Sequence, residues 1–169
     1  MSFKSFIKVS SDGTSWTSYT GGGSTGTMNL TYGNGAWYHS YNGSSIKKST
    51  NNGQTWSNIT GISYANYGIG YGNGKLIVAD WRGVINISNN DGISWKTRFS
   101  YSFSQGGNYL YDVVWGSDKF IVVGNKGMII SSTDGDRWDL NDSGVGKTLY
   151  GVTYGNENFI AVGASGVIT

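Results

Sequence analysis

The chain has 169 residues, of which 37% are apolar and 13% charged, so it is long enough for one domain with a hydrophobic core. Its 28 Gly residues, 15% aromatic residues and lack of Pro disfavour helices, because glycine weakens helix interiors and aromatic side chains prefer pleated surfaces. A formal charge of +2 and the absence of Cys indicate no nucleic-acid partner, anionic membrane, disulfide framework or thiolate metal site.

The chain is therefore predicted to be all-β, and its first elements lie close to the start of the sequence. The segment F-I-K-V-S-S-D-G-T-S-W, which ends at Trp16, resembles two strands joined by a turn. Lys4 and Lys8 interrupt the apolar residues around it, and no segment approaches the roughly 18 apolar residues of a membrane span. We expect a soluble chain with no signal peptide and no membrane insertion, of undetermined location.

Beyond this segment a pattern of four strands recurs about every forty residues, and two landmarks mark it. One is a Gly three positions before a Trp, at Trp16, Trp56, Trp95 and Trp138. The other is an aromatic–Gly pair that begins at Tyr32, Tyr71, Trp115 and Tyr154. Alternating apolar residues before this pair predict a first strand, and the continuous apolar run after it predicts a buried second strand. Third strands are predicted near Ile46, Ile85, Ile129 and Ile168. An Asn-Gly or Asp-Gly turn then joins each third strand to a Trp-bearing fourth strand.

Four short antiparallel strands in each repeat predict a small β-propeller with four four-stranded blades. The single domain 1–169 divides into repeats at approximately 17–56, 57–95, 96–138, and 139–169 together with 1–16. Pairing of the N- and C-terminal segments is expected to complete the last blade and remove an exposed sheet edge. Ile7 and Ile168 fall at the same repeat position, however, so a ring shared between two chains stays an alternative. A β-sandwich is disfavoured, because it does not require the same residues at the same phase four times.

Two of the turns resemble a known motif. The segments S-T-N-N-G-Q-T-W and S-N-N-D-G-I-S-W, which end at Trp56 and Trp95, are similar to the Asp box S-x-D-x-G-x-T-W of sialidases and other propellers. The longer segment V-W-G-S-D-K-F-I-V-V-G-N-K-G-M-I-I-S-S-T-D-G-D-R-W resembles the sialidase-like repeats of bacterial surface proteins, phage tail proteins and photosystem II assembly factors. This resemblance implies a propeller whose Asp boxes stabilise hairpins away from the ligand face, and it implies no particular activity.

Candidate binding residues lie where the repeat breaks, because the fold alone does not demand them. The four repeated Trp residues are expected to pack within the blades instead. The loops after the second strands differ between repeats, and the link from Arg98 to Tyr109 is the longest and most aromatic. We predict a glycan-binding or protein-binding surface on this loop face. Its candidate residues are Tyr41, Asp80, Trp81, Arg82, Tyr101, Phe103, Asn125 and Lys126. The alternative is that these side chains only fold onto loops and blade edges.

Catalytic and cofactor chemistry find less support in the sequence. A sialidase-like site needs clustered Arg residues and a Tyr–Glu pair, but Glu157 is the only Glu and the Arg residues are dispersed. Asp80, Asp112, Asp139 and Asp142 stay candidates for a divergent glycosidase only by elimination. A lone His39 predicts no metal site, and no cofactor is expected. The main hypothesis is a non-catalytic recognition or structural propeller of a phage or bacterial surface. The alternatives are a self-assembling subunit, with a homo-oligomer as its partner, and a divergent glycosidase.

Overall fold

The computed structural model describes residues 6–20, 27–41, 46–62, 66–101 and 107–169 of the chain. Within these ranges the strands form three four-stranded antiparallel sheets and two two-stranded sheets. The prediction of an all-β chain folded as a small β-propeller is therefore confirmed. None of the described helical turns is long and apolar enough to cross a membrane.

Each complete sheet is an up-and-down blade whose strands follow one another along the chain. Blade 1 contains β3 (Thr27–Gly33), β4 (Ala36–Tyr41), β5 (Ile46–Ser49) and β6 (Ser57–Ile59). Blade 2 contains β7 (Asn66–Gly72), β8 (Lys75–Asp80), β9 (Val84–Ser88) and β10 (Lys96–Ser100). Blade 3 contains β11 (Leu110–Gly116), β12 (Lys119–Gly124), β13 (Ile129–Ser132) and β14 (Asp139–Asn141).

The two remaining sheets are halves of a blade at opposite ends of the chain. The outer half-blade contains β1 (Phe6–Val9) and β2 (Thr17–Thr20), and the inner half-blade contains β15 (Leu149–Gly155) and β16 (Asn158–Gly163). The expected pairing between them is not formed, because each is a separate two-stranded sheet. Instead, Thr169 returns to the edge of β16, where it exchanges backbone hydrogen bonds of 2.7 and 2.9 Å with Ala161.

This return resolves the duplicated repeat position. Ile168 bridges Val162 on β16, whereas Ile7 lies in β1 and pairs with Tyr19 of β2. The residues at the end of the described chain therefore occupy part of the β16 edge that β1 was expected to cover.

Two-residue turns join the first two strands of each blade and follow the aromatic–Gly pair. In blade 2 the turn residues Asn73 and Gly74 have φ angles of 46° and 70°. Positive φ at both positions is typical of the hairpin turns whose twist matches that of the strands they join. Leu76 to Asp80 are then buried without interruption, which confirms the predicted second strand with both faces covered.

The hydrophobic core lies between neighbouring blades, as expected when sheets stack face to face around an axis. Tyr38 and Leu76 belong to the cluster between blades 1 and 2, and Ile77 and Phe120 to the one between blades 2 and 3. A smaller cluster joins blade 3 to the inner half-blade through Ile121, Val123, Leu149 and Ala161.

The turns before the repeated Trp residues are longer than the tight hairpins predicted, and side chains close them. In blade 2 the Ser88 hydroxyl accepts a hydrogen bond of 2.8 Å from the Gly92 backbone N–H. The Asn90 side-chain oxygen accepts one of 2.9 Å from the Ser94 backbone N–H. Each fourth strand begins directly after its Trp, so the Trp ends the turn rather than lying within the strand. Such side-chain bonds give the backbone partners that a strand ladder would otherwise supply.

Candidate functional site

The turn between β8 and β9 places three of the predicted site residues. The Asp80 carboxylate is buried and accepts backbone hydrogen bonds of 2.8 Å from Arg82 and 3.1 Å from Val84. Nε and Nη2 of Arg82 also donate to its Oδ2, at 3.1 and 2.7 Å. These two hydrogen bonds to one carboxylate oxygen hold the guanidinium at the surface, where about a third of the Arg82 side chain is exposed. Asp80 thus stabilises the turn, and its predicted contact with a ligand stays a prediction.

The same turn is attached to the link that follows β10. The Gly83 carbonyl accepts a hydrogen bond of 3.1 Å from the Tyr101 backbone N–H. Gly83 has φ of 77°, and a Cβ at this position would lie 2.8 Å from Cβ of Asn108. Only glycine combines this backbone conformation with so close an approach. The position of Tyr101 is therefore determined by the turn that carries Trp81 and Arg82.

Two asparagine side chains extend this framework towards blade 3. The Asn108 amide nitrogen donates a hydrogen bond of 2.6 Å to the Tyr101 carbonyl. The Asn125 amide nitrogen donates to the Gly107 carbonyl, and its backbone N–H donates to the Tyr109 carbonyl at 2.9 Å. Both side-chain oxygens, Asn108 Oδ1 and Asn125 Oδ1, are buried and accept no hydrogen bond from the described residues. A buried acceptor without a donor costs about 1–3 kcal/mol, so these oxygens are two polar atoms that the described residues leave unsatisfied.

Two adjoining hollows open on this face. The first, of about 370 Å³, is lined by Trp81, Arg82, Val84, Ser100, Tyr101, Gly107 and Asn108. The second, of about 410 Å³, includes Tyr101, Asn125, Lys126, Met128 and the segment 140–143 with Val145. Because Tyr101 lines both, we call the two hollows together the Tyr101 surface.

Aromatic rings and positive charge give the Tyr101 surface its chemistry. Trp81 is 39% exposed, and its ring stacks beside that of Tyr109 with centroids 6.3 Å apart. Arg82, paired with Asp80, lines the first hollow, and Lys126 lines the second together with Asp142. Stacking faces and charged groups suit the binding of a polar segment. Within the described ranges, no group of three His, Asp or Glu side chains is placed to hold a metal ion.

The structure brings together part of the predicted site. Trp81, Arg82, Tyr101, Asn125 and Lys126 all line the Tyr101 surface. Tyr41 ends β4 in blade 1, lines neither hollow and lies beside His39, with ring centroids 6.0 Å apart. Phe103 lies outside the described residues.

Sequence reasoning missed Asn108 and the segment 140–145, which includes the end of β14. Asn108 falls within the link from Arg98 to Tyr109, whose unusual length was the available signal. The segment 140–145 carries no comparable signal, since only the fold brings it beside Tyr101.

A second polar cluster lies among the inner strands and joins non-adjacent blades. Asn29, Gly68, Asp112 and Gly151 occupy the same repeat position. The Asn29 amide donates to the Asp112 carboxylate, which also accepts a hydrogen bond of 2.9 Å from the Val152 backbone N–H. Burial raises the pKa of Asp112, although these hydrogen bonds oppose the rise. The cluster connects blades 1 and 3 past Gly68, which has no side chain to intervene.

Comparison with solved structures places this fold among the β-propellers. The YCF48 structure bound to a D1 peptide matches with a TM-score of 0.66 and 11% identity, over 83% of this chain and 49% of that one. The computationally designed Ika4 protein matches with a TM-score of 0.66 and 7% identity, over 88% and 91% of the two chains. A chain of the nidogen/laminin complex matches with a TM-score of 0.65 and 16% identity, over 82% and 57%.

These likenesses establish the fold alone. This chain spans about half the length of the YCF48 chain that it matches. No protein-family model matches the sequence, and no curated protein matches it.

Proposed function

We propose that this chain is a non-catalytic propeller that binds a segment of a protein partner at the Tyr101 surface. The observation that carries the proposal is the pair of hollows that share Tyr101, the first of which is also lined by the exposed Trp81 ring. The rings of Trp81 and Tyr101 can cover side chains of a bound segment.

The propeller neighbours support binding as the function class. One was solved with a D1 peptide and another in a nidogen/laminin complex. Our proposal names no particular partner, because identities of 11% and 16% do not allow the partner of either neighbour to be inferred for this chain. The Asp-box resemblance of the turns and an origin in a phage or bacterial surface belong to the same proposal, supported by the sequence pattern.

Glycan binding is the competing proposal for the same surface. Trp81 is exposed enough to stack on a sugar ring. We favour a peptide because the two hollows meet at Tyr101 and together offer room for consecutive side chains of an extended backbone. Glycosidase chemistry is disfavoured because the carboxylates of Asp80 and Asp112 are each held by partners within the fold. Asp142 lines the second hollow, but no second carboxylate of the described residues lines it.

The test compares peptide and glycan binding with one set of variants. A displayed library of short linear peptides is selected against the intact chain, a selected peptide is titrated by calorimetry, and the chain is applied to a glycan array. We expect the Trp81→Ala, Tyr101→Ala double variant to weaken peptide binding about tenfold or more, since each tenfold corresponds to about 1.4 kcal/mol.

Tyr41→Ala is the matched control, because it removes a ring of the predicted site that lines neither hollow. It should leave peptide affinity unchanged. If the double variant binds the peptide as tightly as the original chain, the Tyr101 surface is not the binding site. If only glycans bind, and the double variant loses them, the competing proposal replaces ours.

A second proposed function, from another class, is assembly with further copies of the same chain. The unpaired half-blades at the two ends of the arc favour it. This function does not depend on the Tyr101 surface, so both functions can hold in one protein.

A further inference from the structure

The blade junctions of this chain repeat one contact, in which an aromatic ring covers the glycine that ends the inner strand of the preceding blade. The covered glycines and their rings are Gly33 with Tyr71, Gly72 with Trp115, and Gly116 with Tyr154. A Cβ on any of these glycines would overlap the ring, so the junctions require glycine. Gly155 holds the next position in this series and has no atom within 4 Å of the place a Cβ would take. Tyr32, at the repeat position of the covering rings, is 55% exposed.

The two half-blades also lack the contacts that complete a blade. Within blades 1 and 3 the repeated Trp packs on the second strand of its own sheet. The ring centroids of Trp56 and His39 lie 4.7 Å apart, and those of Trp138 and Phe120 lie 6.2 Å apart. Trp16 of the outer half-blade is instead 56% exposed. On β16, Ile160 and Val162 are each 46% exposed. One half-blade therefore presents an uncovered Trp, and the other presents the apolar strand that such a Trp covers.

We infer that this open junction is an interface with a second copy of the chain, which rests on the self-assembly function proposed above. The outer half-blade of one copy pairs along β16 of the other, and Tyr32 of the first copy covers Gly155 of the second. The register follows from blade 3, where Val123 pairs with Ile129 and Ile121 with Ser131. The corresponding pairs across the interface are Val162 with Ile7 and Ile160 with Val9.

A second copy fits this junction better than the other end of the same chain. Each half-blade is already packed at its own end of the arc, with Val9 3.1 Å from a Cβ position on Gly53 and the Tyr154 ring on Gly116. The contact between Asn29 and Asp112 ties blade 1 to blade 3, yet Gly155 stays uncovered and Tyr32 exposed. Two copies related by a two-fold axis satisfy both ends of both chains.

Two further features support this occupant. Unpaired edges of a sheet are templates for pairing with another chain, and both halves have one. The designed Ika8 protein matches 86% of this chain while 45% of its own length is covered, so a chain about twice as long contains a region with this fold. Pairing of β1 along the whole edge displaces the Ala161–Thr169 bonds and replaces them with equivalent ladder bonds.

The first experiment measures native mass by light scattering over a range of concentrations. We expect twice the 18.2 kDa of one chain. Gly155→Arg fills the open position and should return the mass to a single chain. Gly146→Arg is the matched control, because Gly146 also has open space around it and should keep the doubled mass. Circular dichroism of each variant verifies that it is folded.

A mass of one chain at every concentration overturns the inference, as does a doubled mass that Gly155→Arg leaves intact. Peptide affinity at the Tyr101 surface should be the same in Gly155→Arg and the original chain. Failure of the peptide-binding proposal and failure of the two-copy interface can therefore be distinguished.

The second experiment distinguishes two copies from closure within one chain. The sequence contains no Cys, so single-cysteine variants give unambiguous cross-links. Mixing Tyr32→Cys with Gly155→Cys should yield a disulfide-linked pair of chains under mild oxidation, whereas mixing Tyr32→Cys with Gly146→Cys should not. A disulfide that forms only within one chain carrying both Tyr32→Cys and Gly155→Cys overturns the inference.

Discussion

The junction between blades 2 and 3 and the open junction between the half-blades use equivalent repeat residues with different results. At the first, Trp115 covers Gly72, and Ile77 and Phe120 share a buried cluster. At the second, Gly155 is uncovered and Tyr32 is exposed. A repeated residue therefore contributes to stability only where the neighbouring blade is present to receive it, as in other repeat architectures.

The largest expected effect on the free energy of unfolding comes from a Gly→Ala substitution at a closed junction, compared with the same substitution at the open junction. Gly116→Ala forces a Cβ into the Tyr154 ring, and overpacking of this kind lowers the free energy of unfolding by about 1–3 kcal/mol. Gly155→Ala adds a Cβ to open space and should change it little in the dissociated chain. Urea unfolding at concentrations below association measures both. Equal losses in the two variants would contradict the distinction between the junctions.

A smaller effect is expected from the serines that close the turns. Ser88 is 1% exposed, and its hydroxyl accepts from the Gly92 N–H and donates to Asn90 at 2.9 Å. Ser88→Ala leaves a buried donor unpaired and should cost about 1 kcal/mol. Ser10 makes the corresponding bond of 2.8 Å to Gly13 in the uncovered outer half-blade. There water replaces the lost partner, so we expect Ser10→Ala to cost less than Ser88→Ala in the same unfolding measurement.

If Ser10→Ala proves the more damaging of the two, the outer half-blade is more tightly packed than its exposure indicates. Denaturation of both variants in parallel, at one protein concentration, decides between these outcomes.

The smallest expected effect concerns the pH dependence that Asp112 adds where blades 1 and 3 meet. Burial raises the pKa of Asp112 in the folded chain, so the folded state binds this proton more tightly than the unfolded state. As the pH falls through the folded pKa towards the unfolded one, this residue therefore adds stability. Asp112→Asn removes that contribution, so the original chain should gain stability relative to the variant on acidification.

Urea unfolding of both proteins at a series of pH values measures the difference. The pKa values of Asp12 and Asp134 are lowered, chiefly by backbone N–H bonds, and act in the opposite direction. Both carboxylates are common to the two proteins, so their contributions cancel in the comparison. Parallel pH profiles for the two proteins would show that Asp112 is not buried as the fold places it.

The local pattern of the sequence was sufficient for the strands. β4, β8, β12 and β16 coincide with the continuous apolar runs, because the apolar character of a residue indicates its burial directly. The turn at Asn73 and Gly74 has an equally local cause, since few residues adopt positive φ easily. The repeated Trp residues were correctly assigned to packing in blades 1 and 3, where Trp56 and Trp138 contact their own sheets.

The candidate site was only partly accessible from the sequence. Trp81, Arg82 and Tyr101 were recognisable because they depart from the repeat. Asp80 departs from it too, but its carboxylate is used by the turn, which composition cannot reveal. Asn108 was missed because its unpaired oxygen is defined by what surrounds it, not by its residue type.

By itself, the sequence determined the number, type and order of the strands, because hydrophobic period and turn chemistry act over a few residues. Only the tertiary structure decided that Tyr101 joins two hollows and that the half-blades stay unpaired. Both outcomes depend on contacts between residues far apart in the chain. The contact between Asn29 of blade 1 and Asp112 of blade 3 is an example, because no pattern within a few residues can indicate it.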